Sequence, residues 1–367
     1  MFLRIPALAV VVLGVGCVAG DVDEPRVGAV QQDIGGCDEF MCGTNSPQIA
    51  QFGFWELNLP STLGAAGLPN NASMQVLGFV QNNVLYLPRV LRGRLTATRG
   101  ATTLSGSALV GGYLYLANGS RTFELRVTAV GSVDSWAQPA SGTPHVTLET
   151  YQLDWAEFIN GVAERFQNMC TNPPSRENPD SLTMIGSLAF QTLLFEGDRI
   201  DAAHKLDTSV DRSWFNLGCA GSALAKMALT GHTQAAWDAG TFNTTLTERT
   251  TMLKMLAADY CGDGTPFTVG GQPLNWEDDH GTMKLLSAPA QLVPESRWNE
   301  TGAVCLDKPR VDVHPTTNSI AQFGSMVSVY DQAMGHCASL PTPKSLPACN
   351  GNPFDLAGYH LLSATPL

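Results

Sequence analysis

Nine cysteines, the first of them closing an apolar N-terminal run, constrain this chain more than any other feature of its 367 residues. The run, Ile5 to Val15, follows a single positive charge at Arg4 and has the profile of a signal peptide. It is too short for a bilayer span, which takes about 20 apolar residues, and no later segment qualifies. Leu13-Gly14-Val15-Gly16-Cys17 has the form of a loose lipobox, in which Cys17 would be diacylated and become the mature N-terminus. The alternative is ordinary cleavage near Ala19-Gly20, giving a secreted protein. Either route delivers the chain to a compartment where thiols oxidise.

Eight cysteines then remain: Cys37, Cys42, Cys170, Cys219, Cys261, Cys305, Cys337 and Cys349. An even number suits four disulfides, although spacing does not choose among the many connectivities. Cys37 with Cys42, and Cys337 with Cys349, bracket short loops and could close locally, leaving Cys170, Cys219, Cys261 and Cys305 to pair among themselves. A zinc reading has less support. There is no CxxC pair, and His232, His280 and His336 lack the paired spacing of a structural zinc site.

Length gives a soft prior of two domains, and 44% hydrophobic residues are enough for a sizeable core. A signal segment (1–17) and a polar tether (18–36) precede a β-rich part (37–170). Met74 to Val80 and Val84 to Val90 flank Gln81-Asn82-Asn83 as a hairpin, and strands are expected at Arg94 to Thr98, Tyr113 to Leu116 and Phe123 to Val130. Asn118-Gly119 is a hairpin turn. Between His145 and Met169 a helical apolar spacing competes with a turn at Asn160-Gly161, and strands around that turn are the preferred reading. The two consecutive prolines within Thr171 to Ser181 mark a boundary. A mixed part (182–306) follows, with strands near Leu188 to Phe195 and ending at Cys219, and two short helices at Ala220 to Thr230 and Thr245 to Tyr260. The last part (307–367) is rich in loops, with one further candidate helix at Ser319 to Ala333. A β-rich front and a helical rear make the fold class α+β, stabilised by disulfides.

The second helix carries the most distinctive string. Thr245 and Glu248 form a capping box, and Leu246, Met252, Leu253, Leu256 and Tyr260 make an apolar stripe. The stripe leads into Ala257-Ala258-Asp259-Tyr260-Cys261-Gly262-Asp263-Gly264, where Gly262 is the expected helix stop. Phe215-Asn216-Leu217-Gly218-Cys219 with Ala223-Leu224-Ala225-Lys226 lies upstream, followed by Gly231 and Trp237. Gly93-Arg94-Leu95 and Leu104-Ser105-Gly106 stand further upstream. As a set these resemble the bacterial ADYC domain family, over roughly residues 37 to 306. The chain departs from the pattern at Met227, where a second cysteine often follows the Ala-Lys. The resemblance implies an exported or lipid-anchored envelope protein, but it implies no reaction.

Residue types that could carry chemistry are few. Trp276-Glu277-Asp278-Asp279-His280 follows soon after Asp259 and Asp263, so Asp259, Asp263, Glu277, Asp278 and His280 are candidates for acid-base work in an extracellular hydrolase. The competing reading of the string is a solvated acidic loop. Calcium at the acidic turn is the single cofactor considered, although Asp259 to Gly264 lacks the alternating oxygens of an EF-hand. Cys219 and Cys261 could act as nucleophiles only if they escape oxidation, which the compartment disfavours. Ser222 is not in a nucleophile elbow, because Ala220 and Leu224 stand where glycines are needed. His145, His204, His314 and His360 stand isolated. The tryptophans Trp55, Trp155, Trp214, Trp237, Trp276 and Trp298 suit core packing or a ligand groove.

Net charge is −12, one unit more negative once Arg4 leaves with the leader, which argues against nucleic acid and against anionic lipid as partners. Membrane contact is expected only through the N-terminal lipid. A local positive patch at Arg89, Arg92, Arg94 and Arg99 reads as the wet face of strands. These observations describe a binding or structural module of the envelope with an unknown ligand.

Overall fold

The computed structural model describes residues 29–31, 47–137, 145–159, 162–170, 190–240, 242–268, 273–283, 292–311, 313–315, 326–350, 354–356 and 358–366. In chain order the strands of its two main sheets are β1 (Ala29–Gln31), β2 (Glu56–Asn58), β3 (Gln75–Gln81), β4 (Val84–Leu91), β5 (Arg94–Arg99), β6 (Thr102–Ser105) and β7 (Tyr113–Asn118). They continue with β8 (Arg121–Asp134), β9 (Thr147–Ile159), β10 (Gln191–Asp201), β11 (Leu206–Cys219), β12 (Pro273–Asp278), β13 (Leu292–Asn299) and β14 (Leu361–Pro366). The helices are α1 (Ala223–Thr230), α2 (Gln234–Asp238), α3 (Leu246–Ala257) and α4 (Val329–Ser339).

The large sheet is antiparallel, in the order β2-β11-β10-β9-β8-β7-β3-β4-β5-β6. Its hairpins follow from turn chemistry. Asn82 and Asn83 both take positive φ (52° and 60°), as a two-residue type I′ turn demands, and set Gln81 opposite Val84. A hairpin turn forms where expected, but with Asn118 paired to Arg121 its two loop residues are Gly119 (φ 58°) and Ser120. The ambiguous stretch after His145 is a strand, because Tyr151 and Leu153 bury alternate side chains against β8, and Ile159 then pairs with Val162. The sheet curls over its inner face, where Leu57, Val76, Phe79, Leu95, Leu114, Phe123, Leu125, Leu194 and Leu217 form one core. Three hydrogen bonds hold the curl: Leu95 N donates to the Tyr151 hydroxyl (2.7 Å), and the buried Glu196 carboxylate accepts from Arg92 N and Gly93 N at the β4–β5 turn.

The rear of the molecule is layered. α1 and α2 pack on the outer face of β10 through Leu193, Phe195, Ala225, Ala228, Leu229 and Ala235. α3 and α4 pack against a second antiparallel sheet, β1-β12-β14-β13 with Gly302–Ala303 at its edge, around buried Trp276 and Trp298. Trp214 is also buried, whereas Trp237 is exposed.

Several expectations need correction. The sheet runs across the expected boundary between the β-rich and mixed parts, since Thr150 pairs with Leu193, while residues 171–181 themselves lie outside the described residues. Ala29–Gln31, inside the expected tether, pairs with Pro273–Asn275. Of the helix expected at Ser319 to Ala333, residues 319–325 lie outside the described residues, Met326–Ser328 is a strand and the helix runs Val329–Ser339; Gln234–Asp238 adds a short helix not expected. Most consequential is β14, within the stretch read as loop-rich, which lies between β12 and β13. Leu361 to Thr365 is buried on both faces, so it lacks the alternation by which a half-exposed strand announces itself.

Three disulfides join Cys170 to Cys219, Cys261 to Cys337 and Cys305 to Cys349. The local closure of Cys337 on Cys349 does not occur. Cys337 lies on the buried face of α4 towards Cys261, and Leu306 N donates to Pro347 O (2.9 Å), which sets Cys349 beside Cys305. The closed segments span 49, 76 and 44 residues, so on chain-entropy grounds each restrains the unfolded chain by roughly 4 kcal/mol. Cys17, Cys37 and Cys42 lie outside the described residues. Three disulfides indicate maturation in an oxidising, extracytoplasmic compartment. Among the described residues no helix is long and apolar enough to cross a membrane.

Lys226 is buried on α1 and its ammonium nitrogen has no hydrogen-bond partner. Burial, aided by the Arg310 charge, pushes this lysine well below its usual range. The unfolded chain holds the proton up to pH about 10.4, so the cost of folding is fully present below the lowered folded pKa and declines as pH rises towards that value. Lys226→Met is expected to be at least about 1 kcal/mol more stable at pH 7. Urea denaturation should show this advantage shrinking steadily towards pH 10.

Candidate functional site

The capping box forms as expected, with Glu248 N donating to Thr245 Oγ1 (3.2 Å) and Thr245 N to Glu248 Oε2 (2.6 Å). The far end of α3 differs from expectation. The helix stops at Ala257, and its left-handed cap is Ala258 (φ 52°) rather than Gly262. A left-handed alanine costs about 1–2 kcal/mol, and the residues that follow supply the compensation. Asp259, fully buried, accepts from Gly262 N (2.8 Å), Gly264 N (2.9 Å) and Lys254 Nζ (2.9 Å). The Lys254 ammonium also donates to His204 O (2.9 Å) and Gly262 O (2.8 Å). A lysine thus fills the place where a calcium ion was considered.

Tyr260 stacks on Trp298 with ring centroids 5.5 Å apart and donates to Glu295 Oε1 (2.6 Å). Arg310 pairs with both Glu295 oxygens (2.7 and 2.8 Å) and donates to Met255 O and Leu256 O in the last turn of α3. Cys261 is tied to α4 by its disulfide. Lys344 donates to Tyr260 O and Thr301 O, and burial pushes its pKa down to about 8. Gly262 and Gly264 both have positive φ, and a Cβ on either would stand 1.9 Å from a backbone oxygen, that of Thr301 or Ala203.

The five carboxylate and histidine candidates fall into different partner sets. Asp259 belongs to the turn just described. Asp263 meets His336 Nε2 (2.8 Å); burial opposes its charge, but the His336 and Thr265 hydrogen bonds win and hold it below the usual carboxylate range. Asp278 is buried and holds its own turn, accepting from Thr282 N (2.8 Å), Met283 N (3.1 Å) and the Thr282 hydroxyl. Glu277 is half-buried on β12 opposite Leu362. Cys219 and Cys261 are both disulfide-bonded and offer no thiolate.

His280 joins a cluster that the linear sequence hides. Its Nε2 lies 3.0 Å from Glu248 Oε1 and 3.9 Å from Asp279 Oδ1. His360 Nδ1 lies 2.6 Å from Asp279 Oδ1 and 3.9 Å from Glu248 Oε1. Behind them the fully buried His232 places Nε2 3.3 Å from His360 Nε2, and Phe242 packs edge-on against His232 and His280. Burial, then the His360 charge, pushes the His232 imidazole well down, so it is neutral. Glu248 read as a helix cap and His360 as an isolated histidine, and no motif spacing linked them to the Trp276 to His280 string. This set, unlike the original five, could hold a metal ion.

A second feature is a cleft of about 610 Å³ between the β4–β5 turn, β10 and helices α1 and α2. Leu148, Leu193, Phe195, Ala228, Ala235 and Ala236 give it apolar walls, and Arg89, Arg92 and Arg94 line one side. The arginines read earlier as a wet strand face therefore border a concavity. Arg89 spends its guanidinium on the carbonyl oxygens of Pro60, Pro88 and Ser61. Glu149, the acidic residue of the lining, accepts the Tyr151 hydroxyl.

Gly262→Ala is expected to lose at least about 3 kcal/mol, because strain and a backbone clash coincide there. Asp259→Asn, which leaves Lys254 buried without its counter-charge, should lose about 3–5 kcal/mol. In urea denaturation the double variant Lys254→Met/Asp259→Leu should recover part of the Asp259→Asn loss.

Nothing among curated proteins or solved structures matches the chain. The ADYC domain matches it over residues 106–312, more than half its length. The matched region includes the Cys170–Cys219 bridge, α1 to α3 and the turn around Asp259, and it stops short of α4 and β14. The turn and its lysine clamp, which carry the signature string, lie within that span, and the chain belongs to the ADYC domain family.

Proposed function

We propose that this protein is an exported binding module of the cell envelope, anchored through Cys17, and that its cleft takes a single-chain amphiphile with an anionic head. The observation that carries the reading is the pairing of apolar walls with three arginines in one concavity of about 610 Å³. That volume is typical of small-molecule sites. The arginine wall stands out against a net charge of −12, so charge complementarity favours a carboxylate or phosphate headgroup over a cation. The hydrolase alternative has less behind it, since Asp259 and Asp278 are consumed in holding turns and do not share partners with His280.

Two measurements test the reading. Calorimetric titration of the mature protein with dodecanoate and with dodecyl phosphate should show one site. Arg92→Glu/Arg94→Glu should weaken binding at least about tenfold, and Ala236→Trp, which fills the cleft, should abolish it. The preference between the two probes identifies the headgroup. Absence of binding by both, or unchanged affinity in both variants, overturns the ligand assignment. Intact mass should show a diacylglyceryl group on Cys17 and a chain eight hydrogens lighter than its reduced form, one for each remaining cysteine; an unmodified N-terminus removes the anchor.

A further inference from the structure

We propose that Glu248, Asp279, His280 and His360 bind one divalent transition-metal ion of the zinc class, with His232 as the residue that positions His360. The four side chains come from the start of α3, the turn after β12 and the approach to β14, and one donor atom from each lies within 4.8 Å of the others. The measured separations are 3.0, 3.9, 3.9 and 2.6 Å. Donors bonded to tetrahedral zinc at about 2.0–2.1 Å stand about 3.3–3.4 Å apart, so the set brackets the required spacing.

Hydrogen bonding fixes the direction in which His360 offers its lone pair. The single proton of the Thr230 hydroxyl is directed at Lys226 O (2.9 Å), with Met227 O beside it at 3.2 Å, so its oxygen accepts from His232 Nδ1 (3.1 Å). His232 Nε2 then carries a lone pair, and its 3.3 Å approach to His360 Nε2 is attractive only when His360 Nε2 bears the hydrogen. A neutral His360 in that tautomer turns its Nδ1 lone pair towards Asp279 Oδ1 at 2.6 Å. Two bare lone pairs repel at that distance, and a proton or a cation has to stand near both. His280 Nε2 and Glu248 Oε1 make the same demand beside it at 3.0 Å. One divalent ion answers both demands, and two carboxylates cancel its charge.

The surroundings suit a built site. Glu248 Oε2 is held by the capping box, which aims Oε1 into the cluster. His232 and His360 are buried, whereas Asp279 and His280 are partly exposed and leave a path from solvent. A buried imidazole whose other nitrogen is hydrogen-bonded is the arrangement by which proteins orient metal-binding histidines. Two nitrogens with two carboxylate oxygens favour a borderline ion over calcium. The other metal-like group, Cys261 with Asp263 and His336, lacks a thiolate because Cys261 is in a disulfide.

The test uses the full mature chain with its disulfides intact, stripped with EDTA and dialysed. Zinc titrated by calorimetry at pH 7.5 should bind at one equivalent, and cobalt(II) should give the intense visible bands of a tetrahedral site. Asp279→Asn and His280→Ala change partly exposed side chains, and each should lower zinc affinity at least about 100-fold with an unchanged circular dichroism spectrum. His232→Gln retains an acceptor for His360 and should keep the cobalt spectrum and most of the affinity, whereas His232→Leu should lose about 10–100-fold. Binding of much less than one equivalent, or zinc affinity untouched by both Asp279→Asn and His280→Ala, overturns the site. Equal affinity in His232→Gln and His232→Leu overturns the positioning role.

Discussion

The buried ion pair of Lys254 with Asp259 decides how α3 ends, and the rear of the molecule is arranged around that ending. A helix leaves its last carbonyls without partners, and here the exit is fully enclosed. Lys254 reaches forward from the final turn to the Asp259 carboxylate, to Gly262 O in the same turn and to His204 O between β10 and β11. Asp259 gathers the amides of Gly262 and Gly264 in return. With the turn so fixed, Tyr260 reaches Glu295, Cys261 reaches α4, and Gly262 lies against Thr301. Neither charge would tolerate burial alone. Together they turn a strained left-handed alanine into the anchor for a disulfide, an aromatic stack and an arginine-clamped glutamate.

Local chemistry was legible in the sequence wherever a short-range rule decides the structure. Asn82, Asn83 and Gly119 take the left-handed conformation at their turns, Thr245 with Glu248 dictates a cap, and Gly231 ends α1 as a glycine should. Reading failed where a distant partner decides. Gly262 looked like the helix stop because glycine is the usual left-handed residue, yet Asp259 and Lys254 set the cap four residues earlier, at Ala258. Cys337 and Cys349 looked like a local loop because only separation along the chain was visible. β14 shows no alternation since both of its faces are covered.

The same division holds for the candidate sites. Asp259, Asp263 and His280 stood out as polar residues in a dense stretch, but density along the chain says little about convergence in space. Asp259 is structural, and the neighbours of His280 come from a helix cap and from a histidine 80 positions away. The arginines of β4 and β5 show the converse. As an alternating strand they looked merely wet, and their meaning depends on β10 and α2 approaching from the other side. No spacing rule carries that information.

β14 joins the second sheet about a hundred residues after the helix exit it helps to enclose. Until β14 is in place, the edges of β12 and β13 that face each other have no strand partner, beside the large apolar side chains of Trp276 and Trp298. Exposed edges of this kind recruit foreign strands. The architecture places its period of greatest aggregation hazard before the arrival of its own central strand, so safe maturation depends on whatever shields Trp276 and Trp298 in that interval.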